Sequence, residues 1–204
     1  MSLRICGMYS NTKYEILAAK MKASVEALGY PVSLHKIDHW HDEATAWGFA
    51  LRNKPIVVEK CMLEYPQDDI LYMDADAEMK AHPALVIEDK TCDIAINFIR
   101  PKHIHGCVMF FRGARGRQYV QKWKESYELY PHIRLDEIHA YFALKEMQKV
   151  PGFRCLTLPF SYTWVPWTAG KLYPTAKPII IHHGEGRGPD KDTVLREASF
   201  HLPI

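Results

Sequence analysis

The chain has 204 residues, with 26 Lys and Arg against 24 Asp and Glu and a 48% hydrophobic share. That suits one domain with a sizeable core, and a formal charge of +2 gives no electrostatic pull toward nucleic acid, so any phosphate binding must be local. No apolar leader precedes the first strand-like run, no apolar stretch has membrane length, and five cysteines make no C-x-x-C pair, so the chain reads as a cytoplasmic protein with reduced core thiols.

Leu3 to Met8 is an apolar run that reads as a strand, and Tyr9-Ser10-Asn11-Thr12 after it can cap a helix. Tyr14, Leu17, Ala18, Met21, Val25 and Leu28 recur at helical spacing, Gly29 supplies a stop, and Val32 to Ile37 reads as a second strand. A βαβ opening predicts a parallel sheet whose ligand lies at the carboxyl ends of its strands. Glu43 to Arg52 predicts a short helix, and Pro55 suits the first turn of another that ends before Pro66. Ile70-Leu71-Tyr72-Met73 has the character of a buried central strand and ends on Asp74-Ala75-Asp76.

Further strands are expected at Ile94 to Phe98 and Val108 to Phe111, with helices at Gln118 to Tyr130 and Leu135 to Met147. Pro151-Gly152 breaks the pattern. Leu156 to Leu158 and Ile179 to Ile181 are late short strands around an aromatic loop holding Tyr162, Trp164 and Trp167.

On an extended strand Asp74 and Asp76 aim two carboxylates at one cation while Ala75 turns away. Two hard oxygen ligands suit Mg²⁺ or Mn²⁺, which can bridge the phosphates of a nucleotide diphosphate and offset charge on the leaving group. Spacing alone decides nothing: eleven aspartates in 204 residues give about 0.6 D-x-D matches by chance, and Asp190-Lys191-Asp192 is a second match in a tail with no strand before it. Context favours the first pair over a solvated strand end with Asx turns.

From Lys54-Pro55-Ile56-Val57 through Ile70 to Asp76 and on to Pro83, the sequence resembles the GT-A family of nucleotide-diphospho-sugar transferases. His105-Gly106-Cys107-Val108-Met109-Phe110-Phe111-Arg112 with Trp123 looks like that family's Gly-containing strand and following helix. Leu135-Asp136-Glu137, Leu158-Pro159 and Ile180-Ile181-His182-His183 follow in the family's order, so the likeness covers most of the chain. It implies an α/β, Rossmann-like, mixed and mostly parallel sheet flanked by helices, with a nucleotide-sugar donor, UDP-linked by analogy, and a metal on the D-x-D acids. It further implies a late histidine in the metal shell: alignment on the apolar run points to His182, whereas H-x-x-G spacing to Gly186 points to His183.

The candidate donor site is drawn from Tyr9, Ser10, Thr12, Lys54, Asp74, Ala75, Asp76, Gly106 and Arg187, although the tail around Arg187 departs from the family in lacking the Lys-Pro-Trp ending of some relatives. Tyr9 offers a ring for a nucleobase, and Ser10 and Thr12 offer hydrogen bonds at a helix start. Lys54 is a candidate for the donor phosphate or sugar, or else a solvated charge before Pro55. Arg187, among glycines, is a candidate for the diphosphate, with an ordinary surface loop as its alternative. Asp136 and Glu137 open a helix, where acids are favoured by the dipole whatever the function; the likeness makes one of them a general base, or a sugar-binding carboxylate.

His39-Trp40-His41 and His103-Ile104-His105 are read as cleft-lining loops rather than zinc ligands, and Arg112, Arg115 and Arg117 as a basic cluster that either touches phosphate or forms a solvated turn. Trp164, Trp167, Tyr162 and Tyr173 either stack on an acceptor sugar or cover the sheet edge. The expected activity is metal-dependent sugar transfer to a hydroxyl acceptor of unknown kind, whether saccharide, protein or lipid-linked. The alternatives are a sugar nucleotidyltransferase, whose Gly- and Arg-rich first loop is absent here, and a non-catalytic sugar-binding module. The small size leaves room for a homo-oligomer or partner to complete the cleft.

Overall fold

The computed structural model describes residues 2–10, 12–37, 43–100, 102–166 and 175–184, with backbone alone for 43–50 and 100. Strands β1 (Leu3–Tyr9), β2 (Val32–Lys36), β3 (Asp69–Met73), β5 (Ile94–Arg100), β6 (His103–Phe111) and β7 (Cys155–Thr157) form one sheet in the order β2-β1-β3-β6-β5-β7. The pairings β1 with β2, β1 with β3 and β5 with β7 are parallel, while β6 is antiparallel to both its neighbours. This is the mixed, mostly parallel α/β sheet expected from the sequence. A two-stranded ribbon of β4 (Ala77–Met79) and β8 (Ile180–His182) stands beside it.

Helices α2 (Glu43–Glu64), α4 (Gly113–Leu129) and α5 (Asp136–Met147) cover one face, burying Tyr72, Phe111, Tyr119 and Trp123 beneath them. Helix α1 (Thr12–Glu26), the β4–β8 ribbon and the short α3 (Ala84–Glu88) cover the other, over Leu71, Met73, Val108 and Phe110. With both faces covered, β3 is buried at all five positions, which is why its sequence is a continuous apolar run rather than an alternation. Among the described residues no helix is long and apolar enough to cross a membrane.

The two helices expected around Pro55 are one, with the proline inside it. Pro55 has no N–H to give the Leu51 carbonyl, and the Tyr127 hydroxyl of α4 donates to that oxygen instead at 3.1 Å. A side chain 76 residues away replaces the missing helical bond. Tyr127→Phe is therefore expected to lower stability by about 1–3 kcal/mol, the cost of a buried carbonyl left unsatisfied. Denaturant unfolding of the two proteins measures this, and an unchanged midpoint would mean that water satisfies Leu51.

The α4 helix begins five residues before the expected Gln118 start, so Arg115 and Arg117 lie in its first turns and Arg112 is its N-terminal flank. Arg112 is not a solvated turn residue. It donates to Asp69 through Nε at 2.9 Å and to the Val86 carbonyl at 2.9 Å, and also reaches the Asp89 carbonyl, tying the start of β3 to the end of α3. His103 and His105 are not loop residues either. They lie in β6, where Ile104 between them is buried and Lys102 (φ 66°) makes the turn from β5. The segment His39-Trp40-His41 lies outside the described residues.

Candidate active site

Strand β3 ends at Met73, and the backbone then turns rather than continuing extended: the Ala77 N–H donates to the Asp74 carbonyl at 2.9 Å, closing a four-residue turn over Asp74-Ala75-Asp76-Ala77. The acids therefore meet through a turn, not through strand alternation as the sequence suggested. The turn is possible because β4 must double back to pair with β8, with Ala77 opposite His182. Ala75 is buried inside it.

That pairing carries His182 onto the acids. Its Nε2 lies 3.0 Å from Asp76 Oδ1 and 3.7 Å from Asp74 Oδ2. One ligand atom from each of Asp74, Asp76 and His182 fits within 4.8 Å of the others. His183 is not brought to this group. Its backbone N–H donates to the Asp76 carbonyl at 3.0 Å, but its ring lies 3.3 Å from Glu78, a more exposed carboxylate one residue beyond Ala77. Alternation along β8 separates the two histidines.

Lys54, on α2, points beneath the turn. It is 5% exposed, so it is not a solvated charge, and its Nζ lies 2.8 Å from Asp136 Oδ2 and 3.0 Å from Asp74 Oδ1 while donating to the Gly106 carbonyl at 3.2 Å. Burial alone would lower its pKa, but Asp136 and Asp74 more than reverse this and raise it well above the ordinary lysine value. Lys54 is thus a fixed cation at neutral pH. Asp136 and Glu137, at the start of α5, are both buried. Burial likewise pushes Asp74 up, against the pull of Lys54 and His182. Lys54 meets Asp74 and Asp136 while Asp76 meets His182, so three carboxylates share one lysine and a divalent cation would offset their excess negative charge.

Gly106 explains how Asp136 gets this close. A Cβ on Gly106 would stand 2.8 Å from Asp136 Oδ2, so the carboxylate occupies the space a side chain would fill. Gly106→Ala is expected to push Asp136 off Lys54 and to lower stability by about 1–3 kcal/mol, read by denaturant unfolding. A crystal structure of the variant with the 2.8 Å contact intact would refute this account.

Tyr72 was not anticipated as part of this site. Its hydroxyl donates to Asp74 Oδ1 at 3.0 Å, and the signal was there, since residues two apart on a strand share a face. His105 and Cys107 of β6 are also close: the His105 ring meets that of His182 edge-on at 5.7 Å, and its Nδ1 lies 3.2 Å from Cys107 Sγ. Tyr9 is the last residue of β1 and Ser10 follows it; β1 runs parallel to β3 with Cys6 beside Tyr72, so the first loop opens at the same end of the sheet as Asp74, and Thr12 starts α1. Trp164 runs beside β8, its N–H donating to the Ile180 carbonyl at 3.0 Å, and is buried, which makes it a cover for the sheet rather than an open stacking platform. Arg187, Trp167, Tyr173 and the Asp190-Lys191-Asp192 match lie outside the described residues.

The fold is shared with a solved protein. It superposes on the crystal structure of a glycosyltransferase involved in the glycosylation of the major capsid of PBCV-1, with a TM-score of 0.67 over 98% of this chain and 100% of that one. The two sequences are 12% identical, so the likeness is one of fold. No protein-family model and no curated protein matches the sequence.

Proposed function

We propose that this protein is a glycosyltransferase that moves a sugar from a nucleotide-diphosphate donor, UDP-linked in the first instance, to a hydroxyl acceptor, with Mn²⁺ or Mg²⁺ held by Asp74, Asp76 and His182. The observation that carries the reading is the convergence of two carboxylates and one imidazole at the carboxyl end of β3, on a sheet of glycosyltransferase shape. The donor set suits the ion: carboxylate oxygens for a hard cation, and an imidazole that favours Mn²⁺ over Mg²⁺. When bound, such an ion would offset charge on the departing nucleotide diphosphate.

The chain's own groups do the rest. Lys54 holds Asp136 in place, where it would accept hydrogen bonds from sugar hydroxyls or take the acceptor's proton. Tyr72 fixes the orientation of Asp74 from below. Tyr9, Ser10 and Thr12, at the same sheet end, are placed to meet the nucleoside, and Arg187 is the proposed partner of the diphosphate.

The test is a panel of UDP-, GDP- and TDP-sugars with Mn²⁺, read by thermal shift and by release of free nucleotide. A metal-dependent shift with slow hydrolysis of one donor class is the expected result. A shift without hydrolysis would make the protein a binding module, and pyrophosphate release from a nucleoside triphosphate and sugar 1-phosphate would make it a nucleotidyltransferase.

A further inference from the structure

Away from the acidic turn, a second group of metal-binding atoms meets between β1, β2 and α2. Cys6 Sγ, Cys61 Sγ and a ring nitrogen of His35 all lie within 4.8 Å of one another. The register dictates this. Cys6 pairs with Ser33 and Met8 with His35 across parallel strands, so Cys6, Ser33 and His35 share the face that α2 covers, and Cys61 comes down onto it from the helix. Both thiols are fully buried, and His35 Nε2 is sealed from solvent without a hydrogen bond of normal geometry.

The surroundings favour a thiolate. Hydrogen bonds from Cys6 above all, and from His35 and Ser33, bring the Cys61 thiol down to about 6 against the effect of burial, whereas burial pushes Cys6 up. A disulfide needs two sulfurs; this arrangement adds an imidazole beside them, and thiolates with imidazole are the donors a zinc-class ion takes.

We propose that Cys6, Cys61 and His35 bind a zinc-class ion that fastens the edge strand β2 and the helix α2 to β1. With metal–sulfur bonds of about 2.3 Å, tetrahedral coordination sets the sulfurs roughly 3.8 Å apart, so closing the site needs movements on the order of 1 Å. Binding forms two metal–sulfur bonds and one metal–nitrogen bond and displaces the protons of Cys6 and Cys61 to solvent; Ser33 or water fills the fourth position. Nothing in this site is shared with Asp74, Asp76 or His182, so it stands whether or not the protein transfers sugars.

The test is titration of the reduced, chelator-stripped full chain with Co²⁺, followed by displacement with Zn²⁺. One Co²⁺ per chain that carries a sulfur-to-metal charge-transfer band is expected; an ion on Asp74, Asp76 and His182 has no sulfur ligand and gives no such band. The band should survive in Asp76→Asn and Cys107→Ser, while in Cys61→Ser and His35→Gln binding should weaken at least tenfold. Melting curves without metal establish that the variants fold, and His35→Gln, on the edge strand, keeps the test available should Cys61→Ser unfold. Absence of the band, its survival in Cys61→Ser, its retention at full affinity in His35→Gln, or a Cys6–Cys61 disulfide in a non-reducing digest of the freshly isolated chain would each overturn the proposal.

Discussion

Lys54→Met is expected to destabilise the protein by about 3–5 kcal/mol at pH 7, because it strips the cation from a buried group of carboxylates while keeping the volume of the side chain. In the native chain the ammonium lies 2.8 Å from Asp136 and 3.0 Å from Asp74, and it is 5% exposed. Without it, two aspartates face each other across an apolar stem. The deficit should depend on pH in a definite sense. A carboxyl whose folded pKa lies above its unfolded value favours the folded state as pH falls through that raised value. Burial already pushes Asp74 up, with Lys54 as the chief restraint, so removing the lysine lifts it further. The gap between variant and native protein should therefore narrow between pH 7 and pH 5 in denaturant unfolding. Lys54 itself adds no pH dependence in this window, since its pKa is raised and its contribution is lost only above the ordinary lysine value. A second substitution, Asp136→Asn, should restore part of the loss, because it removes one of the stranded charges. A deficit below about 1 kcal/mol that does not change with pH would mean the cluster is wet and screened, like a surface pair.

This cluster also marks the limit of what the sequence discloses. The apolar run Ile70 to Met73 before Asp74 declares a buried strand because strand burial is written locally, whereas Gly106, Asp136 and His182 are singled out by the family resemblance and not by any local pattern. What brings Lys54 to Asp136 is a contact over 82 positions that depends on α2 being continuous through Pro55, and a proline reads locally as a helix start. The hydroxyl that makes continuity tolerable belongs to Tyr127, on another helix. Likewise the choice between His182 and His183 rests on the β4–β8 register, and β4 is three residues long with no periodicity of its own. Local pattern gave the elements; the pairing of charges required their packing.

The largest functional effect is expected from Asp76→Asn. The side chains are isosteric, and the turn that holds residue 76 is closed by backbone groups, from the Ala77 N–H to the Asp74 carbonyl and from the His183 N–H to the Asp76 carbonyl. The fold should therefore persist, with a melting temperature within a few degrees of the native protein. What changes is chemistry: an anionic oxygen 3.0 Å from His182 Nε2 becomes part of a neutral amide, and the proposed metal loses one of its two carboxylates. Lewis-acid assistance to a leaving phosphate contributes several kcal/mol, so turnover should fall at least about a hundredfold, and the Mn²⁺-dependent thermal shift with donor should vanish. His182→Asn should behave alike. His183→Gln should not, because the His183 ring is turned toward Glu78 and away from the acids. Equal losses in both histidine variants would place the ion elsewhere than on the Asp74–Asp76–His182 group, and full activity in Asp76→Asn would remove the metal from the proposed reaction altogether.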